Sequence, residues 1–185
     1  MRKLKGFILP LTIILIWIIV DKLHIVNNYI VPSPKTILST TYEMLLSGQL
    51  LKNLMVSFFR VIVGFTLTFV VAFPLAVFLG NKPKAMPYIN PSLEFMRHIP
   101  PIAMIPILIL WLGIGESSKL VVIFLATFFP VFSNTLNGVT NYDKKLLEVG
   151  EMFHFSKKDL FLKIIFPQAI PSIMTGIQLG LGYSW

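Results

Sequence analysis

Few side chains in this sequence could carry out chemistry, and the acids come first. Glu148, Glu151 and Asp159 fall in one short stretch, and carboxylates gathered in this way can act as general acid and base. They alternate with Lys144, Lys145, Lys157, Lys158 and Lys163. That is the ordinary pattern of a solvated helix surface. A small polytopic membrane enzyme working through these three acids is therefore the second reading, not the first. His24, His98 and His154 come from three separate regions and would have to converge to hold a metal. There is no cysteine, so no disulfide and no thiolate ligand. The spacings G-x-x-x-x-G-K-[ST], H-E-x-x-H and G-x-S-x-G do not occur. Gly113-x-Gly115 is too brief to cradle a phosphate, and no strand pattern precedes it. Catalytic, cofactor and metal sites are thus not expected in this chain.

The same acids can be read as parts of a surface. They lie within Asn141 to Pro171, a lysine-rich stretch between two runs of nearly pure hydrocarbon character. Asp143 can cap a short helix whose apolar side recurs at Leu146, Val149 or Gly150, and Phe153, with Glu148 and Glu151 on the other side. Ser156 followed by Asp159 is a capping-box pattern for a second helix, with Leu160, Phe161, Ile164 and Ile165 as its apolar face. Pro167 and Pro171 then bound the next element. The residues alone allow two uses for this hairpin: a solvated connector, or a feature offered to a soluble partner.

What positions the hairpin is a set of membrane spans. The chain has 185 residues, of which 55% are hydrophobic and only 13% charged, and its mean hydropathy is +0.78. A soluble domain could not cover that much apolar side chain. Arg2, Lys3 and Lys5 precede an uncharged run from Phe7 to Val20, which reads as a retained first span lengthened by Leu23, Ile25 and Val26. Pro32 and Pro34 open an extended entry to an amphipathic connector with helical spacing from Thr36 to Leu46. Val61 to Gly80 is a second span, with Arg60 at its edge either snorkelling or facing a solute. Ile99 to Gly115 is a third, interrupted by Pro100, Pro101 and Pro106. Broken backbone at that depth is tolerated where protein or a water-filled cavity replaces the lost hydrogen bonds. Leu120 to Thr140 is a fourth span, polar in its later half at Ser133, Asn134, Thr135 and Asn137. Ile170 to Trp185 begins a fifth, with Gly176 and Gly180 in close-packing spacing. The expected fold is all-α, a polytopic bundle with about five transmembrane helices.

The formal charge of +8 does not form one basic stripe, so nucleic acid is not the expected partner. The basic residues sit between spans, as orientation signals do. Arg2, Lys3, Lys5, Lys82, Lys84, Arg97, Lys144, Lys145, Lys157, Lys158 and Lys163 fall on one side of the membrane in this arrangement, against Lys22, Lys35, Lys52 and Lys119 on the other. The bias puts the N-terminus and the Glu148 hairpin in the cytoplasm.

With topology and hairpin in place, the spacing Glu148, His154, Ile164, Phe166, Pro167 resembles the E-A-A, Gly, I-x-L-P signature of binding-protein-dependent ABC importer permeases. I-V-P-S-P-K-T-I-L, S-F-F-R-V-I-V-G-F, L-E-F-M-R-H-I-P-P-I-A-M-I-P-I-L-I-L-W-L-G-I-G-E-S-S-K and F-F-P-V-F-S-N-T-L-N-G-V look like the nitrate, sulfonate and taurine group of that family. The resemblance covers about Ile30 to Trp185. It implies a MetI-like bundle of the type I importers, in the plasma (inner) membrane. An N-terminal span and external connector would occupy 1–55, and the permease domain 56–185, with a cytoplasmic coupling loop at 141–167. It implies a dimer of permeases, two ABC ATPase subunits that bind the ATP, and an external substrate-binding protein. The cargo would be a small anion or a vitamin precursor. The residues it marks for ATPase docking are Glu148, Val149, Gly150, Phe153 and His154, with Pro167 setting the angle at which motion enters the fifth span. Pro101, Pro106, Ser133, Asn134 and Asn137 are the expected lining of a translocation path. Two departures stand out. Val149 and Gly150 replace the two alanines, and His154 replaces a glycine that would allow positive φ in a tight turn. Family members also continue through further spans, so the chain reads as a C-terminally truncated permease, and a nonfunctional remnant that inserts but never assembles is a third reading.

Overall fold

A computed structural model describes residues 4–23, 26–27, 29–82 and 84–185. Arg2, Lys3, His24 and Ile25 of the sequence reading lie outside the described residues. The chain divides into two compact units, Met1–Ser57 and Phe58–Trp185. Every regular element among the described residues is helical.

In the first unit, a 3-10 turn, Leu4–Phe7, leads into α1, Ile8–Lys22. Helix α2, Pro34–Leu46, starts two residues before the expected Thr36, with Pro34 in its first turn and not in the extended entry: Ser33 caps it by accepting a hydrogen bond from the Thr36 amide at 3.1 Å. Trp17 Nε1 donates to the Pro32 carbonyl at 3.2 Å and ties the extended Pro-rich entry back to α1. Gln49 opens α3, which runs to Gly80, so the end of the expected connector belongs to the second span. Its 32 residues make about 48 Å of helix at roughly 1.5 Å each.

The second unit holds the site. Along α3, Gly64, Thr68, Ala72, Ala76 and Gly80 recur every fourth residue and form one small-residue stripe. It faces α6, Glu116–Thr140. A Cβ on Gly64 would come within 2.7 Å of Ile123, and Ala72, Ala76 and Leu79 are buried with Val131 and Phe132. The Thr68 and Thr127 hydroxyls meet at 2.7 Å across this contact, and Thr127 also donates to the Ile123 carbonyl at 2.7 Å. At one end Arg60 grips Glu116 with two bonds of 2.7 and 2.8 Å, and Lys119 reaches the same carboxylate at 3.0 Å. Arg60 therefore neither snorkels alone nor faces a solute: a two-point ion pair links α3 to the start of α6.

Between these helices the third span takes an unexpected form. Helix α4, Met86–Arg97, is followed by a 3-10 turn, Pro101–Met104, and by α5, Ile105–Leu112. The two halves are bent by 77°. Pro101 disfavours helical backbone in the residue before it, and Pro100 is indeed extended at φ −64, ψ 125. The interruption expected in this stretch falls at 98–100, and helix precedes it as well as follows it, so the span begins before Ile99. Gly113, at φ +76, ends α5 in a conformation glycine adopts without strain.

Helix α9, Phe166–Ser184, packs along α6. Gly138 lies where a Cβ would come 2.9 Å from the Ala169 carbonyl, Gly176 abuts Pro130 and Asn134, and Gly180 abuts Phe65 and Val131. The Gly176/Gly180 spacing therefore does bring helices into close contact. Three helices among the described residues are long and apolar enough to cross a membrane: Gln49–Gly80, Glu116–Thr140 and Lys157–Ser184. The bent pair makes four if it counts as one span. Only 22% of each of the three is buried by the chain, so most of their hydrocarbon surface is left for lipid or other helices.

Candidate functional site

The hairpin that connects α6 to α9 begins with α7, Lys144–Met152. Asp143 caps it by accepting from the Lys145 amide at 2.8 Å, and the Asp143 amide itself donates to Gln168 Oε1 at 2.9 Å, which fastens the start of α7 to α9. At the other end the Phe155 amide donates to the Gly150 carbonyl at 3.0 Å and the His154 amide to the Glu151 carbonyl at 2.9 Å. Those two bonds, six-to-one and five-to-two, are a Schellman ending, which puts its residue after the cap in the left-handed region. That residue is His154, at φ +56. It is the one non-glycine residue with positive φ among the described residues.

The return limb is α8, Lys157–Leu160, capped by Ser156, which accepts from the Asp159 amide at 3.1 Å and donates to Asp159 Oδ2 at 2.5 Å. Lys163 bonds Asp159 at 2.8 Å and lies over the Phe155 ring at 5.0 Å. The chain then passes through a π-helical turn, Phe161–Ile165, into α9 without a break. Pro167 and Pro171 consequently do not bound a separate element; both lie inside one helical run from Lys157 to Ser184. The physical reason lies in the wide turn. A proline ring clashes with the carbonyl four residues back, and a π turn just before Pro167 moves that carbonyl aside.

Hairpin closure divides the α7 residues into two sets. Leu147 is half-buried and Gly150 fully buried. A Cβ at Gly150 would meet Leu160 at 2.7 Å and would crowd the Ile164 methyl as well. The close approach that Gly150 permits is therefore to the chain's own return limb, and the expectation that it faces a partner is corrected. Leu146 and Val149 are about half exposed, Met152 and Phe153 78% and 72% exposed. Glu148, Glu151 and His154 are exposed too. The hairpin thus displays an apolar strip, Leu146, Val149 and Phe153, edged by carboxylates. Pro167 is exposed at the start of α9.

The expected path residues fall into two adjoining cavities flanked by α4, α6 and α9. One, of about 520 Å³, is bordered by Asn90, Glu94, Ser133, Asn134, Asn137 and Thr140 among others. The other, of about 620 Å³, is bordered by Pro101, Ile102, Leu125, Pro130 and Tyr183 among others. Arg97, Phe129, Ser133 and Asn134 belong to both. Ser133, Asn134, Asn137 and Pro101 are therefore brought together. Pro106 is not: it is exposed, because α5 turns Leu108, slightly more than half a helical turn further round, to the inside. Glu94 and Arg97 went unrecognised in the sequence because they read as part of a basic connecting loop. Their three-residue spacing just ahead of the His98-Ile99-Pro100-Pro101 break was the available signal.

Residues 69–185 match the family described as binding-protein-dependent transport system inner membrane component. A Bacillus subtilis (strain 168) permease named for aliphatic sulfonates transport is 38% identical over 182 residues, covering 98% of this chain and 66% of that one. An Escherichia coli (strain K12) protein with the same name is 32% identical over 183 residues, covering 99% and 70%. A nitrate import permease of Synechocystis sp. is 33% identical over 163 residues, covering 83% and 59%. The chain spans about two thirds of the length of these relatives.

Proposed function

Because this chain belongs to the binding-protein-dependent inner membrane components, the permeases of ABC importers, we propose that it is the membrane-spanning subunit through which a separate ATPase drives uptake of a small solute. The observation that carries the reading is the outward strip Leu146, Val149, Phe153 on a hairpin whose back is closed by Gly150. Apolar side chains at a water-exposed helix are a cost unless something covers them, and a groove on a soluble partner would cover this set. Glu148 and Glu151 flank the strip and suit basic residues at the groove's rim. The N-terminus and the hairpin lie on the cytoplasmic side, in keeping with the bias of lysine and arginine.

The coupling route follows from the connections. Helix α7 leads directly to α6 at Asn141 and, through the π turn, to α9. Those two helices contact each other along their length at Gly138, Gly176 and Gly180 and supply Ser133, Asn134 and Tyr183 to the cavities. A displacement of α7 by a partner that closes on ATP moves the pair as a unit and changes which end of the cavities is open. A second permease copy completes the path, and an external binding protein delivers the cargo. The names of the relatives favour a sulfonate or another small oxyanion as that cargo. Chemistry on ATP belongs to the partner, and this chain acts as no enzyme.

The test is association with an ABC ATPase of such an importer, produced together with this chain. Wild-type protein in detergent retains that ATPase on co-purification; Phe153→Asp loses it while keeping its own elution volume. Retention by Phe153→Asp, and by Leu146→Asp as a second variant, refutes the docking role.

A further inference from the structure

Arg97 sits where the two cavities meet, and its charge is loosely held. Its Nη2 lies 3.4 Å from Glu94 Oε1, and both side chains are more than half exposed. Arg60, by contrast, is clamped to Glu116 by two bonds of 2.7 and 2.8 Å. A guanidinium offers five donors in a planar fork that fits an oxyanion at two points, and one long contact to Glu94 leaves most of them unused. Ser133, which borders both cavities, adds a hydroxyl that can donate to the same spot. The two sides of this meeting point differ. Asn90, Asn137 and Thr140 lie on one, Ile99, Ile102, Val122 and Leu125 on the other. Volumes of about 520 and 620 Å³ suit a small ligand.

We propose that Arg97 recognises the oxyanion head of a short alkyl sulfonate-like cargo whose hydrocarbon tail lies along Ile102 and Leu125, and that Glu94 is a displaceable counter-ion that holds Arg97 until the cargo arrives. This rests on the reading of the cavities as a solute path, and it narrows the cargo to an anion with an apolar tail. An exposed ion pair is worth little, so the cargo can replace the carboxylate with little penalty.

The assay is chemical modification of arginines by p-hydroxyphenylglyoxal in the intact, detergent-solubilised chain, followed residue by residue by mass spectrometry. Butane-1-sulfonate slows modification of Arg97 at least fivefold. Nitrate at the same concentration slows it far less, and the uncharged butyl methyl sulfone not at all; Arg60 serves as the internal reference and is unaffected by all three. Glu94→Gln removes the competitor and lowers the half-protecting concentration of butane-1-sulfonate by about two- to fivefold, the range an exposed ion pair supports. Equal protection by the sulfone, no protection by the sulfonate, or an unchanged or higher half-protecting concentration in Glu94→Gln overturns the proposal. Protection by nitrate equal to that by butane-1-sulfonate overturns the apolar-tail assignment. No ATPase takes part, so this inference and the docking reading fail separately.

Discussion

His154 is the sharpest place to test how the hairpin is built. Its backbone is at φ +56 because two hydrogen bonds, Phe155 to Gly150 and His154 to Glu151, close the end of α7 around it. For an L-residue the left-handed region costs roughly 1–2 kcal/mol, and glycine escapes that cost but loses roughly 0.5–1 kcal/mol of extra freedom on ordering. The difference predicts that His154→Gly stabilises the closed turn by about 0.5–1 kcal/mol, a factor of about two to five in its local opening constant. His154→Val works in the opposite direction: a β-branched side chain tolerates positive φ worse than histidine does, and the turn should open at least about fivefold more often. The reporter is hydrogen–deuterium exchange of the Phe155 amide in detergent, since that amide is bonded only while the Schellman turn is closed. Slower exchange in His154→Gly and faster exchange in His154→Val are expected. Unchanged or faster exchange in His154→Gly, with His154→Val no faster than wild type, would refute the strain argument and with it the account of the turn.

Other substitutions probe the packing. Gly150→Leu drives a side chain into Leu160 and Ile164 and should cost about 1–3 kcal/mol of hairpin stability, read as loss of Phe155 amide protection together with loss of the ATPase. Thr135 Oγ1 is buried without a hydrogen-bond partner, so Thr135→Val should raise the apparent Tm in detergent, by removing a desolvated hydroxyl worth about 1 kcal/mol or more. Thr68→Val should cost about 0.6 kcal/mol, read as a slightly lower Tm, because it breaks the bond to Thr127 while Thr127 keeps its own to Ile123. Gly138→Leu should separate α6 from α9, since the obstacle is the Ala169 backbone carbonyl and not a side chain that can swing away; the readout is loss of the folded, monodisperse species on size-exclusion chromatography.

What could be read from the residues was the part governed by local rules. The caps at Asp143 and Ser156 are side-chain-to-backbone bonds within three residues, and each occurs in the structure. The left-handed turn at His154 could be anticipated from where a glycine was expected. Three features could not, because each depends on a partner distant in the chain. Gly150 faces inward only because Leu160 and Ile164 fold back over it. Pro167 fails to end a helix because a π turn makes room for it. Arg60 is paired because Glu116, at the start of another helix, comes beside it. Arg97 was hidden for a related reason: the bend at Pro100 turns a residue that reads as a loop cation into the wall of two cavities. The every-fourth small residues from Gly64 to Gly80 were visible as text, but their meaning rests on α6 lying against them.

Whether the hairpin is an ATPase handle in the cytoplasm is directly measurable, because the chain has no cysteine of its own. In the Phe153→Cys protein, reconstituted with its ATPase in membrane vesicles of known orientation, an impermeant maleimide is expected to label position 153 only from the cytoplasmic face, and to label it much more slowly when the ATPase is bound. Labelling from the external face, or labelling from the cytoplasmic face at the same rate with and without the ATPase, would contradict it.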